Sequence, residues 1–242
     1  MSSSAQLVLL PWLLGWTPAR DRTTFAAGLH AGSCVGIGWA LREELRALDR
    51  RTLLLVAGAS LPAAVVGAVA ADAVEQRLGQ PPQLAALLAG AGLVMWAVDA
   101  RAERRAAAAG GAGRPVGRRE AAWAGGAQVA ALVPGVSRSG ATLTALRAAG
   151  VSRAEAERFS LLMSLPVTAG AATLTLLRAD RSRLRLLATE LLPGTLTAGV
   201  AGSMAVRRRA ARPGTPLRGA ALYRLGLATA VVLRLRSRKD GP

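Results

Sequence analysis

Lysine and cysteine each occur once in the 242 residues, as Lys239 and Cys34, and aromatic side chains make up only 3%. A single cysteine excludes a disulfide framework or a cysteine-based metal site within the chain. Cys34 stands in a stretch without charge, where a lone thiol reads as a small, buried and inert residue. Acidic residues are also scarce: 14 Asp and Glu stand against 31 Lys and Arg, a net charge of +17 carried almost wholly by arginine. Clustered basic charge is the usual footprint of nucleic-acid binding, but here its placement argues against a nucleic-acid partner. The arginines come in blocks between apolar segments ("REELRALDRR", "RAERR", "RSRLR", "RRRAAR"), as in the loops of a membrane protein. The near absence of lysine, beside abundant Ala and Gly, fits a GC-rich genome rather than a binding surface. No signal peptide is expected, because the N-terminus has no basic region and the apolar run Leu7 to Leu14 is broken by Pro11 with no cleavage site after it.

The largest absence is of charge itself. Residues 23–41, 52–71, 79–98, 121–137, 159–177 and 191–206 contain no Asp, Glu, Lys or Arg, and 219–233 contains only Arg224. A hydrocarbon core takes about 20 helical residues. The windows therefore predict an all-α, polytopic integral membrane helix bundle of about six spans, forming a single membrane domain over residues 1–242. Their Ala, Gly, Leu and Val composition lets transmembrane helices approach closely. In order, the chain reads as a short apolar helix near 5–16, spans at about 23–41, 52–71 and 83–98, a polar loop over 99–120, and spans at about 158–177, 191–206 and 217–233. Loops 42–51 and 99–120 carry four and six arginines and loop 72–82 carries one, which puts the two basic loops in the cytoplasm.

Residues 121–150 break this scheme. One limb, Ala121 to Val133, ends at Pro134-Gly135, and a shorter one, Ala141 to Ala149, ends at Gly150. Neither is long enough to cross a bilayer, so a re-entrant helical hairpin with the tip "PGVSRSG" is expected. A shift of 135 positions lays Ser2-Ser3-Ser4-Ala5 on Ser137-Arg138-Ser139-Gly140, and Gly15 on Gly150. With one residue of slack, Phe25 falls on Phe159 and Gly32 on Pro166. Chance is the competing explanation, since Ser, Gly and Ala are common here. A true repeat implies paired halves with the site where they meet: about 1–100 and 121–242, joined by a linker at about 101–120. The first half then has no limb ahead of its tip.

The tip has the chemistry of an anion site. An arginine in the bilayer costs about 2.5–3.5 kcal/mol on the insertion scale, so Arg138 needs a partner. Ser137, Ser139 and Thr142 offer hydroxyls, Gly135 and Gly140 allow close backbone approach, and the helix that follows aims its free N–H groups at the same place. A forked guanidinium at a helix N-terminus suits phosphate. The plainer reading is a tip capped by Ser139, with Arg138 snorkelling to water. Snorkelling is the expectation for Arg147 and Arg224, although Arg224, after Tyr223 in the last span, is placed to reach the site.

The phrase "PGVSRSGAT", with Gln128 ahead of it and "GVSRAEAERFSLLMSLPVTAGA" after it, resembles the undecaprenyl-diphosphate phosphatase family, the bacitracin-resistance membrane proteins. The likeness extends through "LLGW", "FAAGLHAGS", "LPAAVVGAV" and "ALYRLGLA" and covers nearly the whole chain. It implies a multi-pass enzyme of the bacterial plasma membrane, with inverted repeats and two re-entrant hairpins. Such an enzyme releases phosphate from the polyprenyl diphosphate carrier of peptidoglycan synthesis, using a divalent cation, Mg or Ca. It assigns Ser137, Arg138 and Thr142 to catalysis, with Arg138 on the diphosphate. Ser2, Ser3, Ser4, Gly135, Ser139, Gly140 and Arg224 then line the substrate site. Association into a homo-oligomer is left open.

The chain departs from the family at its first hairpin. The family has two glutamates and then "LPVSSSGH"; here the phrase begins at Met1, Ala5 replaces Gly, and Gln6 stands where the histidine is expected. His30 matches another family position and reads as structural. Glu43 and Glu44 belong to a loop and Glu155 and Glu157 lie past the second limb, so no metal ligands are identified. Two explanations compete: a start assigned too late, with the glutamates encoded upstream, or a degenerate relative that binds or moves the lipid carrier without cleaving it.

Overall fold

The computed structural model describes residues 2–17, 21–108, 110, 113–212 and 214–239. Among them it contains ten helices: α1 (Ser3–Leu14), α2 (Arg22–Ala40), α3 (Arg42–Arg46), α4 (Arg50–Leu78), α5 (Pro81–Ala108), α6 (Arg118–Ala130), α7 (Arg138–Ala148), α8 (Arg153–Arg178), α9 (Arg181–Ala211) and α10 (Arg218–Lys239). Helix starts follow local chemistry. Asp21, Asp49 and Ser152 accept hydrogen bonds from the N–H groups of Thr24, Thr52 and Glu155, at 3.1, 3.4 and 3.3 Å, which satisfies donors that the first turn leaves free. Where α6 begins, the Gly117 N–H donates to Glu120 Oε2 at 3.0 Å.

Among the described residues, three helices are long and apolar enough to cross a membrane: Arg50–Ala71 of α4, Pro81–Ala108 and Arg153–Arg178. The chain is an all-α polytopic membrane bundle, and its outer surface carries exposed Leu61, Val65, Val69, Leu192, Leu196 and Val200, as a lipid-facing surface should. The expected spans 23–41, 191–206 and 217–233 fall in α2, α9 and α10, which are of spanning length but less apolar. In α2, glycines give proximity to a neighbouring helix. A Cβ built on Gly32 would overlap the Thr195 carbonyl oxygen, and one on Gly36 that of Gly199, so α2 and α9 meet backbone to backbone.

Two expectations about loops are corrected. Within 42–51, residues 42–46 are helical, and the 99–120 loop is half helix, because α5 runs on to Ala108. The charge that seemed to end the span, Asp99, is buried and neutralised by arginines from α7 and α8. Beyond α5, the Arg114 N–H donates to the Gly150 carbonyl at 3.0 Å, and a Cβ on Gly113 would collide with Ser152, so this connection is pinned against the α7–α8 turn.

The limbs α6 and α7 have 13 and 11 residues and pack on each other. At 1.5 Å per residue neither exceeds about 20 Å. α6 also lies against α4, where a Cβ on Gly125 would stand 2.8 Å from the Ala59 carbonyl oxygen, and α7 is held between α5 and α8. Shifting the chain by 135 residues lays the N-cap of α1, Ser2, on that of α7, Ser137. The packing has a matching pattern: α2 lies on α9 and α8 on α4, while α1 touches α10 and α7 touches α5.

Candidate functional site

The hairpin tip is held in an uncommon backbone conformation. Ser137 has φ 72°, alone in the left-handed region among the described non-glycine residues, and Gly135 before it has φ 95°. A Cβ on Gly135 would lie 3.1 Å from Leu87 Cβ and 3.2 Å from the Leu84 carbonyl oxygen, so α5 presses on the tip and only glycine fits. The cap of α7 is Ser137, not Ser139: its Oγ accepts from the Gly140 N–H at 3.3 Å. Strain of this kind costs about 1–3 kcal/mol and collects at functional sites.

Beneath the tip, Thr142 is almost fully buried. Its hydroxyl lies 3.1 and 3.3 Å from the carbonyls of Arg138 and Ser139 and 2.6 Å from Ser160 Oγ on α8. Thr142 therefore fastens the first turn of α7 to α8. Ser137 is buried as well, and Ser139 is half-buried with no hydrogen bond to its hydroxyl among the described residues.

Three buried or half-buried arginines stand near this helix, and they differ in what neutralises them. Arg147 does not snorkel. It is 5% exposed, and its Nε donates to Asp99 Oδ1 at 2.9 Å and its Nη1 to the Val151 carbonyl at 2.8 Å. Asp99 also accepts from Arg153 Nη2 at 2.9 Å and from the Leu217 N–H at 3.1 Å, tying α5, α7, α8 and the approach to α10 together.

Arg224 does not snorkel either, and at 1% exposure it reaches the tip. Its Nη1 donates to the Val136 carbonyl at 3.3 Å. It fills the space in front of Gly140, where a Cβ would stand 3.1 Å from Nη1 and 3.2 Å from Cζ. Gly92 of α5 makes room for its stem, 3.2 Å from a Cβ there to Arg224 Cβ. Arg138 is half-buried with its Nε fully enclosed, and among the described residues neither Arg138 nor Arg224 has a carboxylate partner. An unneutralised buried cation is costly, so two of them around residues 136–140 define a place for an anion.

The N-terminal serines come to the same region. Ser3 Oγ lies 3.0 Å from His30 Nε2. Ser2 Oγ lies 3.3 Å from Ser4 Oγ, and Gln6 Nε2 donates to Tyr223 Oη at 3.2 Å, beside Arg224. His30, read as structural, thus holds a hydroxyl of the first tip. A contact 27 residues away leaves no signature in a single sequence. Cys34 is half-buried rather than buried, with Sγ 3.6 Å from the Leu165 carbonyl.

The divalent cation implied by resemblance does not fit the residues present. Among the described residues no three of His, Cys, Asp and Glu converge, and the tips offer hydroxyls, guanidinium groups and one imidazole.

A cavity of about 1640 Å³ runs along α5, α6 and α7. Ala86, Gly90, Val94 and Ala145 give it an apolar wall, Val136 and Gly140 mark its tip end, and Arg105 and Arg119 lie toward the other.

Comparison with known proteins agrees with this arrangement. Residues 1–214 match the family described as bacitracin resistance protein BacA. A protein of Gemmatimonas aurantiaca named undecaprenyl-diphosphatase is 34% identical over 223 residues, covering 85% of this chain and 80% of that one. Relatives of the same name from Rubrobacter xylanophilus and Geobacter metallireducens are 38% and 35% identical, over 73% and 72% of this chain and 69% and 68% of theirs. An all-α membrane bundle with a strained PGVSRSG tip, matched over most of its length, belongs to the BacA bacitracin resistance family.

Proposed function

We propose that this chain hydrolyses undecaprenyl diphosphate to undecaprenyl phosphate and inorganic phosphate, recycling the lipid carrier of the bacterial cell wall at the plasma membrane and conferring bacitracin resistance. The observation that carries the reading is the contrast among the arginines: Arg147 has Asp99, whereas Arg138 and Arg224 have no carboxylate among the described residues and flank the N-terminus of α7. A diphosphate supplies the missing negative charge.

In this reading Arg138 clamps the terminal phosphate by paired N–H donors, helped by free N–H groups of the first turn of α7 and by the hydroxyls of Ser137 and Ser139. Arg224 holds the tip through Val136 and adds positive charge behind Gly140. Thr142 keeps the turn in place, and Ser2, Ser3 and Ser4 approach from the other tip. The polyprenyl chain lies along the apolar groove of α5–α7. The reciprocal packing of α2 on α9 and α8 on α4 supports a division into two halves, about 1–100 and 121–242, with the site between them.

The test is phosphate release by the purified chain given undecaprenyl diphosphate in detergent micelles, with undecaprenyl phosphate as the control substrate. Release from the diphosphate alone supports the reading; binding without release returns the protein to the non-cleaving carrier-binder class.

A further inference from the structure

We propose that the end of the α5–α7 groove away from the tip binds an anionic phospholipid, with the headgroup on Arg105, Arg114 and Arg119 and an acyl chain along the apolar wall. The three arginines line the cavity and are exposed, and among the described residues their side chains make no hydrogen bond or ion pair. The other charges at this end are matched. Arg147 is paired with Asp99, Arg153 with Asp99 and Glu103, and Glu120 accepts from the Gly117 N–H. Five arginines line the cavity against Glu103 and Glu120, with Asp99 behind them, which leaves a surplus of two positive charges.

The groove has the dimensions of a membrane lipid. Ala86 and Ala106, both on its wall, stand twenty residues apart on α5, about 30 Å of helix, which matches the thickness of a hydrocarbon core. The arginine end therefore lies at a polar boundary of the bilayer. Trp123 marks that boundary: it lines the same cavity, is 59% exposed and stands four residues after Arg119 on one face of α6. On the charge rule this end faces the cytoplasm, the side whose leaflet carries anionic lipid. Between the ends, Gly90, Ala91, Gly126 and Ala145 leave room for a chain.

Charge and apolarity together select the occupant. A free phosphate would use the arginines and leave the wall bare, whereas a phospholipid with a negative headgroup satisfies both. The polyprenyl chain takes the same wall in the reading above, so the phospholipid is the occupant of the groove when no substrate is bound. The site itself does not depend on the phosphatase reading.

The test reads binding in the absence of substrate, on the full chain in detergent micelles. The Trp123 share of the fluorescence is the difference between the unaltered chain and Trp123→Phe. Phosphatidylglycerol with dibrominated acyl chains should quench that share at a mole fraction at least about 25-fold below phosphatidylcholine with the same chains, and high salt should erase most of the preference. Removing two arginines in Arg105→Gln/Arg119→Gln should weaken phosphatidylglycerol binding about 25-fold, about fivefold for each. Quenching by phosphatidylcholine should stay unchanged in that variant, which shows that the groove is still formed. Equal quenching of the unaltered chain by the two lipids marks ordinary bilayer contact and overturns the proposal, whatever becomes of the variant. Phosphatidylglycerol binding that survives the double substitution overturns it as well, because the headgroup then lies elsewhere. Reversal of the quenching by inorganic phosphate, where chloride at the same ionic strength has no effect, marks a free-anion site and also overturns it.

Discussion

Arg224 occupies the space that a side chain at residue 140 would need: a Cβ on Gly140 would stand 3.2 Å from Arg224 Cζ and closer still to Nη2. The guanidinium is 1% exposed and has no room to retreat, since Gly92 already borders its stem. The glycine of the tip phrase and an arginine of the last helix, 84 residues later, are thus one device. Gly140→Ala is expected to push Arg224 off the Val136 carbonyl, at an overpacking cost of about 1–3 kcal/mol. A fall in the thermal midpoint together with a loss of phosphate release checks it; an alanine variant with unchanged activity would mean that Arg224 does not serve the tip.

Ser137 sets stability against function. Its φ of 72° suits glycine, and its side chain contributes one cap bond to Gly140. Replacing a cap residue by glycine costs only a few tenths of a kcal/mol, whereas relief of strain returns about 1–3 kcal/mol. Ser137→Gly should therefore raise the thermal midpoint while lowering phosphate release. The pairing of gain and loss, read on one preparation, separates a strained functional residue from a merely awkward one.

Much of this architecture was legible in the sequence because charge is confined so strictly. Five of the six windows without Asp, Glu, Lys or Arg overlap α2, α4, α5, α8 and α9, and the thirteen-residue limb ending near Pro134 predicts α6. The tip phrase was legible from its chemistry, an arginine among hydroxyls and glycines. What stayed hidden are partners distant along the chain. Asp99 and Arg147, 48 residues apart, looked like the end of a span and an interfacial arginine, and together they are a buried ion pair. Ser3 and His30, 27 apart, looked like a damaged motif and a core residue. Periodicity reports which face of a helix is apolar, but not which polar groups meet once helices pack.

The Asp99 cluster should dominate stability away from the tip. Asp99 is 4% exposed and serves Arg147, Arg153 and the Leu217 N–H. Asp99→Asn leaves Arg147 without a counter-charge in a dry setting and Arg153 with Glu103 alone, and removing one partner of a buried pair costs about 3–5 kcal/mol. The Arg22–Glu75 pair makes the comparison: it spans 3.1 Å with side chains 41% and 45% exposed, and Glu75→Gln should cost under about 1 kcal/mol. Thermal unfolding of the two variants in the same detergent checks the ranking, and equal losses would contradict it.

The central claim is that Arg138 binds the diphosphate, and the most direct measurement is the rate of phosphate release from undecaprenyl diphosphate by Arg138→Ala beside the unaltered chain. The account predicts a loss of about 100-fold or more in kcat/KM, the scale of removing one oriented donor of developing charge. Arg138→Lys should recover little of it, because an ammonium lacks the planar fork that holds two phosphate oxygens. An Arg138→Ala protein that folds and releases phosphate at the unaltered rate would contradict the account.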